Sequence, residues 1–254
     1  MSDITPIQLT EYKNKSWKKP QSLSFASKES FCPLAASEIM EAAVGLPVVF
    51  IRSGDGFLLV ALQGFNQNQN LYVDANGGWK GMYCPKAYSF YPFCIASHDG
   101  KKIVCERTGT GLVSNSSDGN PFFDETGGQA AEFGTLVEQL GQHQLGLEHT
   151  ASLVEQIVAL DLLTDWPIGF ESNDQTVALN GVFRVDEEKL NSLSHAEFGE
   201  LRDSGALRVC YSHLISMFSI KILNYLHKSQ DKTASIVGDA LNFDSGSSLN
   251  FDNL

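Results

Sequence analysis

Basic charge is scarce in this sequence: 18 Lys and Arg stand against 30 Asp and Glu, which gives a formal net charge of -12. A protein that binds phosphate backbones needs an excess of positive charge, so nucleic acid is excluded as the main partner. Anionic membrane surfaces are disfavoured for the same reason. The acidity itself is typical of a soluble protein.

Cysteine motifs and long apolar runs are also missing. The five cysteines form no Cys-x-x-Cys pair, and no Cys and His residues have the short spacing of a zinc site, so we predict neither a metal nor a cofactor. No uninterrupted apolar run of about 18 residues occurs, so no membrane-spanning helix is expected. The first twenty residues lack the apolar core of a secretion signal. We therefore expect a cytoplasmic protein with reduced thiols.

The pattern of elements predicts an α+β fold. Runs rich in β-formers flank Gly-containing turns over 48–62 and 92–106, which indicates two hairpins. Apolar residues recur at spacings of three, four and seven over 130–164, which predicts a long amphipathic helix, or two antiparallel helices broken near Gly146. The apolar stretch 206–226 predicts a C-terminal helical segment. We expect an antiparallel, meandering β-sheet region with both helical parts packed on it.

Local signals indicate further element boundaries. Strong helix formers before Gly45 predict a helix over 34–44, and residues 70–74 read as a strand ended by a turn. Asp186 is predicted to cap a helix. Ser194 begins another helix with Glu197 three residues on, as in a capping box, and Gly205 is predicted to close that helix.

The ends of the chain differ in composition from its middle. Residues 1–22 are predicted to form a polar N-terminal arm, residues 23–228 a single domain, and residues 229–254 a flexible acidic tail. The tail contains Leu-Asn-Phe-Asp twice, starting at Leu241 and Leu249. This repeat is either a solvated segment or a docking motif for a partner or another copy of the chain.

The segment Gly64–Phe93, which we call the aromatic stretch, is the most unusual part of the sequence, with eight aromatic residues in thirty positions. Aromatic side chains in this number fill a core or line a binding groove, where Tyr and Trp offer a polar group on a rigid apolar body. Charged residues of the later Phe-Arg-Val-Asp run could reach such a groove, or form a structural ion pair. A histidine in the apolar C-terminal segment could be catalytic or a core residue. The predicted ligand-binding residues are Tyr72, Trp79, Tyr83, Tyr91, Arg184, Asp186 and His213.

Several ordered signatures, spread over about two hundred residues, indicate a family. They are Pro33-Leu34-Ala35 with Glu38, Pro47–Phe50, Asn70–Asp74 followed by Gly78-Trp79, Tyr83–Pro85, Tyr91–Phe93, Gly181–Asp186 with Leu190, and His213–Ser216. Over about 20–226 the chain resembles the SapC family of bacterial proteins.

The resemblance implies a role more than a reaction. Members of the family are often encoded beside TonB-dependent receptors, flavin-dependent tryptophan halogenases and cupin-type oxygenases, which implies an accessory role in handling a peptide or small molecule. Family members usually have two Arg just before Tyr-Pro-Phe, where this chain has Ser89-Phe90. The resemblance therefore does not predict an anionic ligand for this chain.

Three functions remain as expectations. The first is an accessory binding protein for a peptide, an aromatic small molecule or a partner enzyme, without catalysis of its own. The second is a peptide- or amino-acid-modifying enzyme that uses His213, Arg184 and Asp186, although no Gly-x-Ser-x-Gly motif provides a serine nucleophile. The third is an assembly protein that forms a homo-oligomer through its tail repeat. Of these, we favour the binding protein.

Overall fold

The computed structural model describes residues 4–115, 118–172 and 175–241, and it confirms the α+β fold. Short 3₁₀ turns occur at Ser24–Ala26, Lys86–Phe90 and Met217–Ser219. The strands are β1 Ile4–Pro6, β2 Ser16–Trp17, β3 Phe31–Pro33, β4 Val48–Ser53, β5 Gly56–Leu62, β6 Phe93–His98, β7 Lys101–Arg107, β8 Val113–Ser114, β9 Asn120–Pro121, β10 Leu163–Asp165, β11 Ile168–Ser172, β12 Gln175–Leu179 and β13 Val182–Val185. The helices are α1 Leu9–Tyr12, α2 Ile39–Ala43, α3 Ala131–Ala159, α4 Glu187–Asn191, α5 His195–Ser204, α6 Ala206–Ser216 and α7 Ile220–Leu241.

The central sheet has five antiparallel strands in the order β10-β13-β4-β5-β3. Both predicted hairpins are confirmed: β4 pairs with β5, and β6 pairs with β7. The prediction of a strand over 70–74 is wrong. This segment is part of a tight turn, in which a single β-bridge joins Val73 to Trp79. The helix predicted over 34–44 begins only at Ile39, because Phe31–Pro33 joins the sheet as its edge strand.

Helix α3 is one continuous helix, so the alternative of two helices broken near Gly146 is wrong. Gly146 instead permits a close approach, since a Cβ atom there would lie 3.2 Å from the Cβ of Ala35. One turn later, Thr150 Oγ1 accepts a hydrogen bond from the Ala36 backbone N–H at 2.7 Å. The glycine that weakens helix propensity therefore lets α3 pack against the segment before α2.

The C-terminal segment consists of α6, a 3₁₀ turn and α7, and it extends beyond the predicted end at 226. The three predicted caps are present: Asp186 accepts from two backbone N–H groups, Ser194 and Glu197 form a capping box, and Gly205 ends α5 with φ 92°. By length and hydropathy alone, the run Ala206–Gln230 could cross a membrane, and 44% of its most apolar stretch is buried in the fold. The tail residues 242–254 lie outside the described residues.

Two clusters of buried side chains form the interior. The larger cluster fills the space between the central sheet, α2, α3 and α6. The smaller cluster is mainly aromatic and includes Tyr12 and Trp17 from the predicted N-terminal arm, whose residues 4–6 also pair with β7. Phe90 and Phe93 of the aromatic stretch belong to this smaller cluster. The aromatic stretch therefore lies at the border between the two clusters, beside the middle of α3.

Candidate functional site

A cleft of about 390 Å³ opens between α3 and the end of the aromatic stretch. We call it the aromatic cleft. Four parts of the chain form it: the segment around the first 3₁₀ turn and β3, the stretch from the second 3₁₀ turn into β6, the end of β7, and the middle of α3. Its aromatic lining residues are Phe25, Phe31, Tyr88, Phe90, Tyr91 and Phe93.

Contacts between aromatic rings form one wall of the cleft. Phe25 and Tyr91 stack with ring centroids 3.7 Å apart and planes at 4°. Phe25 also meets the edge of Tyr88 at 5.9 Å, and the Tyr88 hydroxyl donates to Gln63 Oε1 at 2.6 Å. Aromatic pairs of this kind stabilise a structure by about 0.5–1.5 kcal/mol beyond the burial of their area. The wall is therefore held by contacts that exist before any ligand arrives.

One face of helix α3 forms the opposite wall of the cleft. Leu140, His143, Gln144 and Leu147 all line the cleft, and their spacing places them on the same side of the helix. The ring of His143 lies 5.2 Å from that of Phe90. Sequence reasoning missed His143, although this spacing could have identified it as part of the apolar face of α3.

His143 is a polar residue of this cleft with unused hydrogen-bonding capacity. Its Nε2 atom is buried and has no hydrogen-bond partner among the described residues. Burial lowers the pKa of His143 below its ordinary value of 6.5, so the imidazole is neutral at pH 7. A buried polar atom without a partner costs free energy, and a ligand group that bonds to it removes that cost.

The charged residues of the cleft lining are Glu29 and Arg107, both exposed. Arg107 ends β7, and its backbone N–H donates to the Pro92 carbonyl at 2.9 Å. This bond fixes Arg107 beside the aromatic stretch. Its guanidinium group is suited to a carboxylate on a ligand, because it carries a permanent charge and several donors.

The thiols in and near the cleft are not activated. Burial raises the pKa of the Cys32 thiol to about 12 and also raises that of Cys94, although Arg107 opposes the shift at Cys94. Cys84, which follows Tyr83 in the aromatic stretch, has its pKa raised to about 11 by burial and by the nearby Glu38 carboxylate. Because the thiolate is the nucleophile, protonated thiols at pH 7 are poor candidates for covalent catalysis.

Three of the predicted ligand-binding residues lie together, but as packing partners. Tyr72 is fully buried, stacks on Trp79 at 5.3 Å and donates from its hydroxyl to the Gly45 carbonyl at 3.0 Å. Trp79 Nε1 donates to the Tyr83 carbonyl at 2.8 Å. The Tyr83 hydroxyl donates to Glu38 at 2.5 Å, and this buried carboxylate also accepts from the Ala35 and Lys86 backbone N–H groups.

The other four predicted residues are spread over the fold. Tyr91 lines the aromatic cleft, Arg184 lines a separate groove near α6, and Asp186 caps α4. His213 is fully buried between β4 and β13. The structure therefore does not place the seven residues in one pocket, and their joint role in ligand binding stays a prediction.

Both ring nitrogens of His213 are occupied by backbone groups. Nε2 accepts from the Val185 N–H at 3.1 Å, which leaves Nδ1 to donate to the Val48 carbonyl at 2.9 Å. Burial lowers the pKa of His213 to about 4, so the ring is neutral at pH 7. In this state His213 links two neighbouring strands.

Comparison with known proteins supports the resemblance drawn from the signatures. A model of the SapC family matches residues 7–223, which is most of the chain. The chain belongs to the SapC family. No curated protein and no solved structure matches it.

Ser89 and Phe90 occupy the two positions where the resemblance implies an Arg pair. Ser89 is exposed and donates to the Lys86 carbonyl at 2.6 Å, while Phe90 is buried and lines the aromatic cleft. An apolar ring thus stands where the resemblance implies a cation. The cation of the cleft lining comes from β7 instead, at Arg107.

Proposed function

We propose that this SapC family member is an accessory binding protein whose aromatic cleft holds an aromatic small molecule or an aromatic side chain of a peptide. The observation that carries the proposal is the unpartnered Nε2 of His143, buried beside a wall of stacked rings. The cleft volume of about 390 Å³ lies in the range of small-molecule sites, roughly 300–1,000 Å³.

The lining defines the chemistry of the ligand. A flat ring would pack against Tyr91 and Phe90, where offset or edge contacts with aromatic faces are favourable. One polar atom on that ring would form a hydrogen bond with the neutral imidazole of His143. A carboxylate at the open end would lie toward Arg107. An aromatic amino acid, free or within a peptide, combines these features.

The enzyme alternative has less support from the geometry. It requires His213, Arg184 and Asp186 to act at one surface, but His213 is fully buried and both its nitrogens bond to backbone groups. The Asp186 carboxylate accepts from the Glu188 and Lys189 N–H groups as a helix cap. That alternative, and the cytoplasmic location, stay predictions.

Isothermal titration with L-tryptophan tests the proposal. Leu147→Trp would fill the cleft from α3, whereas Leu145→Trp, two residues away and 55% exposed, adds the same side chain outside the cleft lining. We expect binding by the wild type and by Leu145→Trp, and a loss of at least about tenfold in affinity for Leu147→Trp. Equal affinities of the two variants, or no heat of binding with the wild type, would reject the site.

The two polar contacts can be separated by a second ligand. N-acetyl-L-tryptophanamide keeps the indole ring but lacks the carboxylate. We expect Arg107→Gln to weaken tryptophan and leave the amide unchanged, because only the carboxylate faces the guanidinium. His143→Leu should weaken both ligands by roughly 2- to 12-fold, the range of a typical hydrogen bond. An unchanged affinity of both ligands for His143→Leu would contradict the assigned hydrogen bond.

A further inference from the structure

A second concave surface lies between β13 and α6. This C-terminal groove, of about 600 Å³, is lined chiefly by Trp166, Arg184, Tyr211, Leu214, Ile215 and Phe218. Ile215 is 64% exposed and Phe218 is 74% exposed. Large apolar side chains grouped at a surface mark interaction sites, in contrast to single exposed residues.

The apolar surface continues along the C-terminal helices. Tyr211, Ile215, Phe218 and Tyr225 are all exposed. The first two lie one turn apart on α6, Phe218 lies in the 3₁₀ turn and Tyr225 lies on α7. Tyr225 is 71% exposed. The groove and these exposed side chains together give α6 and the start of α7 an apolar surface.

Positive charge accompanies this surface although the protein is strongly acidic. Arg184 lines the groove, and Lys221 Nζ lies 6.0 Å from the ring centre of Phe218. Glu187 is the acidic residue of the groove lining. Two cations beside exposed rings, in a chain of net charge -12, favour an occupant that is both apolar and acidic.

The C-terminal tail of the chain has that chemistry. Residues 242–254 contain no Lys or Arg, and the repeat Leu-Asn-Phe-Asp begins at Leu241 and again at Leu249. Leu241 ends α7, so only the second repeat, which starts at Leu249, lies wholly beyond the helix. In an extended segment alternate side chains point to the same side, so Leu249 and Phe251 would face the groove together. Asn and Asp would then point outward, toward the cations at the edge.

The length of the tail favours a second copy as its source. From Phe218 to Leu241 the helical segment is about 35 Å long at 1.5 Å per residue. Ten fully extended residues, from Leu241 to Phe251, span at most roughly 33–36 Å. Phe251 would therefore reach only the near end of its own groove, with no slack, and Phe243 would not reach it.

We propose that the C-terminal groove binds a Leu-Asn-Phe-Asp segment from the tail of a second copy of this chain. The contact joins two different surfaces, so it is heterologous: it closes into a ring when the rotation permits and otherwise continues as a chain of copies. This inference is independent of the aromatic cleft, because it uses none of the cleft residues.

Sedimentation velocity on the full chain tests the proposal. We expect the wild type to rise above the monomer mass of 27.8 kDa between about 1 and 200 μM. A tail variant, Phe243→Ser with Phe251→Ser, and a groove variant, Ile215→Ser with Phe218→Ser, should each stay monomeric. Met82→Ser, a change at a residue 73% exposed and outside the groove, should associate like the wild type.

Mixing the two variants provides the decisive step. The tail variant retains an intact groove and the groove variant retains an intact tail, so a one-to-one mixture should form a heterodimer that neither variant forms alone. A wild type that stays monomeric at about 200 μM would overturn the proposal. So would association that survives in the tail variant, which would indicate groove-to-groove contact.

A membrane surface is the competing occupant of this face. Flotation with neutral phosphatidylcholine vesicles separates the two, since a lipid-binding face would be lost in the groove variant and kept in the tail variant. We expect no flotation of the wild type. Vesicle binding with that dependence would overturn the assignment to the tail.

Discussion

Two tight hairpins, fifty residues apart, have the same backbone structure in different surroundings. The first covers Tyr72–Lys80 and the second Phe122–Ala130, and each contains Asp, two intervening residues and then Gly-Gly. The first lies in the larger buried cluster and the second in the smaller aromatic cluster. A comparison of the two hairpins therefore separates the structure that the local sequence determines from the stability that the surrounding residues provide.

The hydrogen bonds that backbone N–H groups donate within the two hairpins correspond one to one. Each Asp carboxylate accepts from the backbone N–H groups two and four residues later, at 2.8–2.9 Å. Each Asp N–H donates to the carbonyl of the second Gly, and each first Gly donates back to the Asp carbonyl. The residues at the two ends also pair, Lys80 with Tyr72 and Ala130 with Phe122.

The two glycines of each hairpin have different roles. The first, Gly77 or Gly127, has a positive φ of 79° or 87°, which disfavours residues with a Cβ atom. The second leaves space for the Asp carboxylate, because a Cβ on Gly78 would lie 2.7 Å from Asp74 Oδ2 and one on Gly128 3.0 Å from Asp124 Oδ2. The motif thus contains the information for the turn.

The anchoring of the two hairpins differs. Tyr72 stacks on Trp79 and bonds through its hydroxyl to the Gly45 carbonyl, next to α2. Phe122 has no polar group and packs edge-on against other rings, with Phe133 4.9 Å away. The same local turn is thus fixed by a directed hydrogen bond in one cluster and by ring packing alone in the other.

Removal of the anchoring ring should have the largest effect. We expect Tyr72→Ala and Phe122→Ala each to lower the free energy of unfolding by about 3–5 kcal/mol in urea titrations, since both side chains are fully buried. Tyr72→Phe should cost about 1–3 kcal/mol, because the buried Gly45 carbonyl loses its donor. Tyr225→Ala, at an exposed aromatic residue, should change stability by less than about 0.5 kcal/mol.

A small loss for Phe122→Ala alone, under about 1 kcal/mol, would contradict the comparison. It would mean that the smaller cluster does not anchor its hairpin. A Tyr72→Phe variant as stable as the wild type would instead show that the hydroxyl bond adds nothing to ring packing.

Replacement of the first glycine of each hairpin by Ala should lower the free energy of unfolding by an intermediate amount. The loss should differ between the two hairpins. Gly127→Ala should cost about 1–2 kcal/mol from the positive φ, since the nearest atom is the flexible end of Leu9 at 3.3 Å. Gly77→Ala should cost more, because its Cβ would also lie 2.6 Å from Ser22 Cβ. Gly141→Ala on α3 meets no atom within 4 Å and should stabilise the protein by roughly 0.5–1 kcal/mol. Equal losses at the two hairpins would reject the role of the Ser22 contact.

The smallest of the three effects on stability should be the contribution of the two Asp carboxylates, which depends on pH. The backbone N–H groups, chiefly that of Gly78, lower the pKa of Asp74, and the Thr126 hydroxyl and the Gly128 N–H lower that of Asp124. Because both folded-state pKa values lie below the ordinary 3.8, this stabilisation is complete above that pH and is lost as the pH falls through the lowered values.

Urea midpoints at pH 6 and pH 3 measure this contribution. We expect the variant Asp74→Asn with Asp124→Asn to lose less stability between the two pH values than the wild type does. Asp55→Asn with Asp165→Asn removes two exposed carboxylates outside the two hairpins, so this double variant is the charge-matched control and should behave like the wild type. Identical acid sensitivity of the double variant and the wild type would show that these carboxylates do not contribute.

Much of the fold could be predicted from the sequence because its signals are local. Asp186, Ser194 with Glu197, and Gly205 determine helix ends through bonds that span a few residues, and all three were predicted. The second hairpin was not predicted, although Asp124 to Gly128 matches Asp74 to Gly78. The comparison of the two stretches would have identified it.

The aromatic cleft could be predicted only in part. The aromatic density of Gly64–Phe93 pointed to this region, and Tyr91 does line the cleft. Its partner Phe25 lies more than sixty residues earlier, and His143 lies on a helix about fifty residues later. No local pattern relates three such distant segments, because the sheet and α3 bring them together.

The sequence alone determined the α+β class, the hairpins β4–β5 and β6–β7, the helix caps and the family, because each depends on residues close in the chain or on a fixed order of motifs. Only the tertiary structure decided which aromatic rings are packing and which line a cleft. Tyr72 is as aromatic as Tyr91, but the first is enclosed by α2 and the second borders an open space. Burial is a property of all the segments that surround a side chain, and these segments meet only when the whole chain has folded.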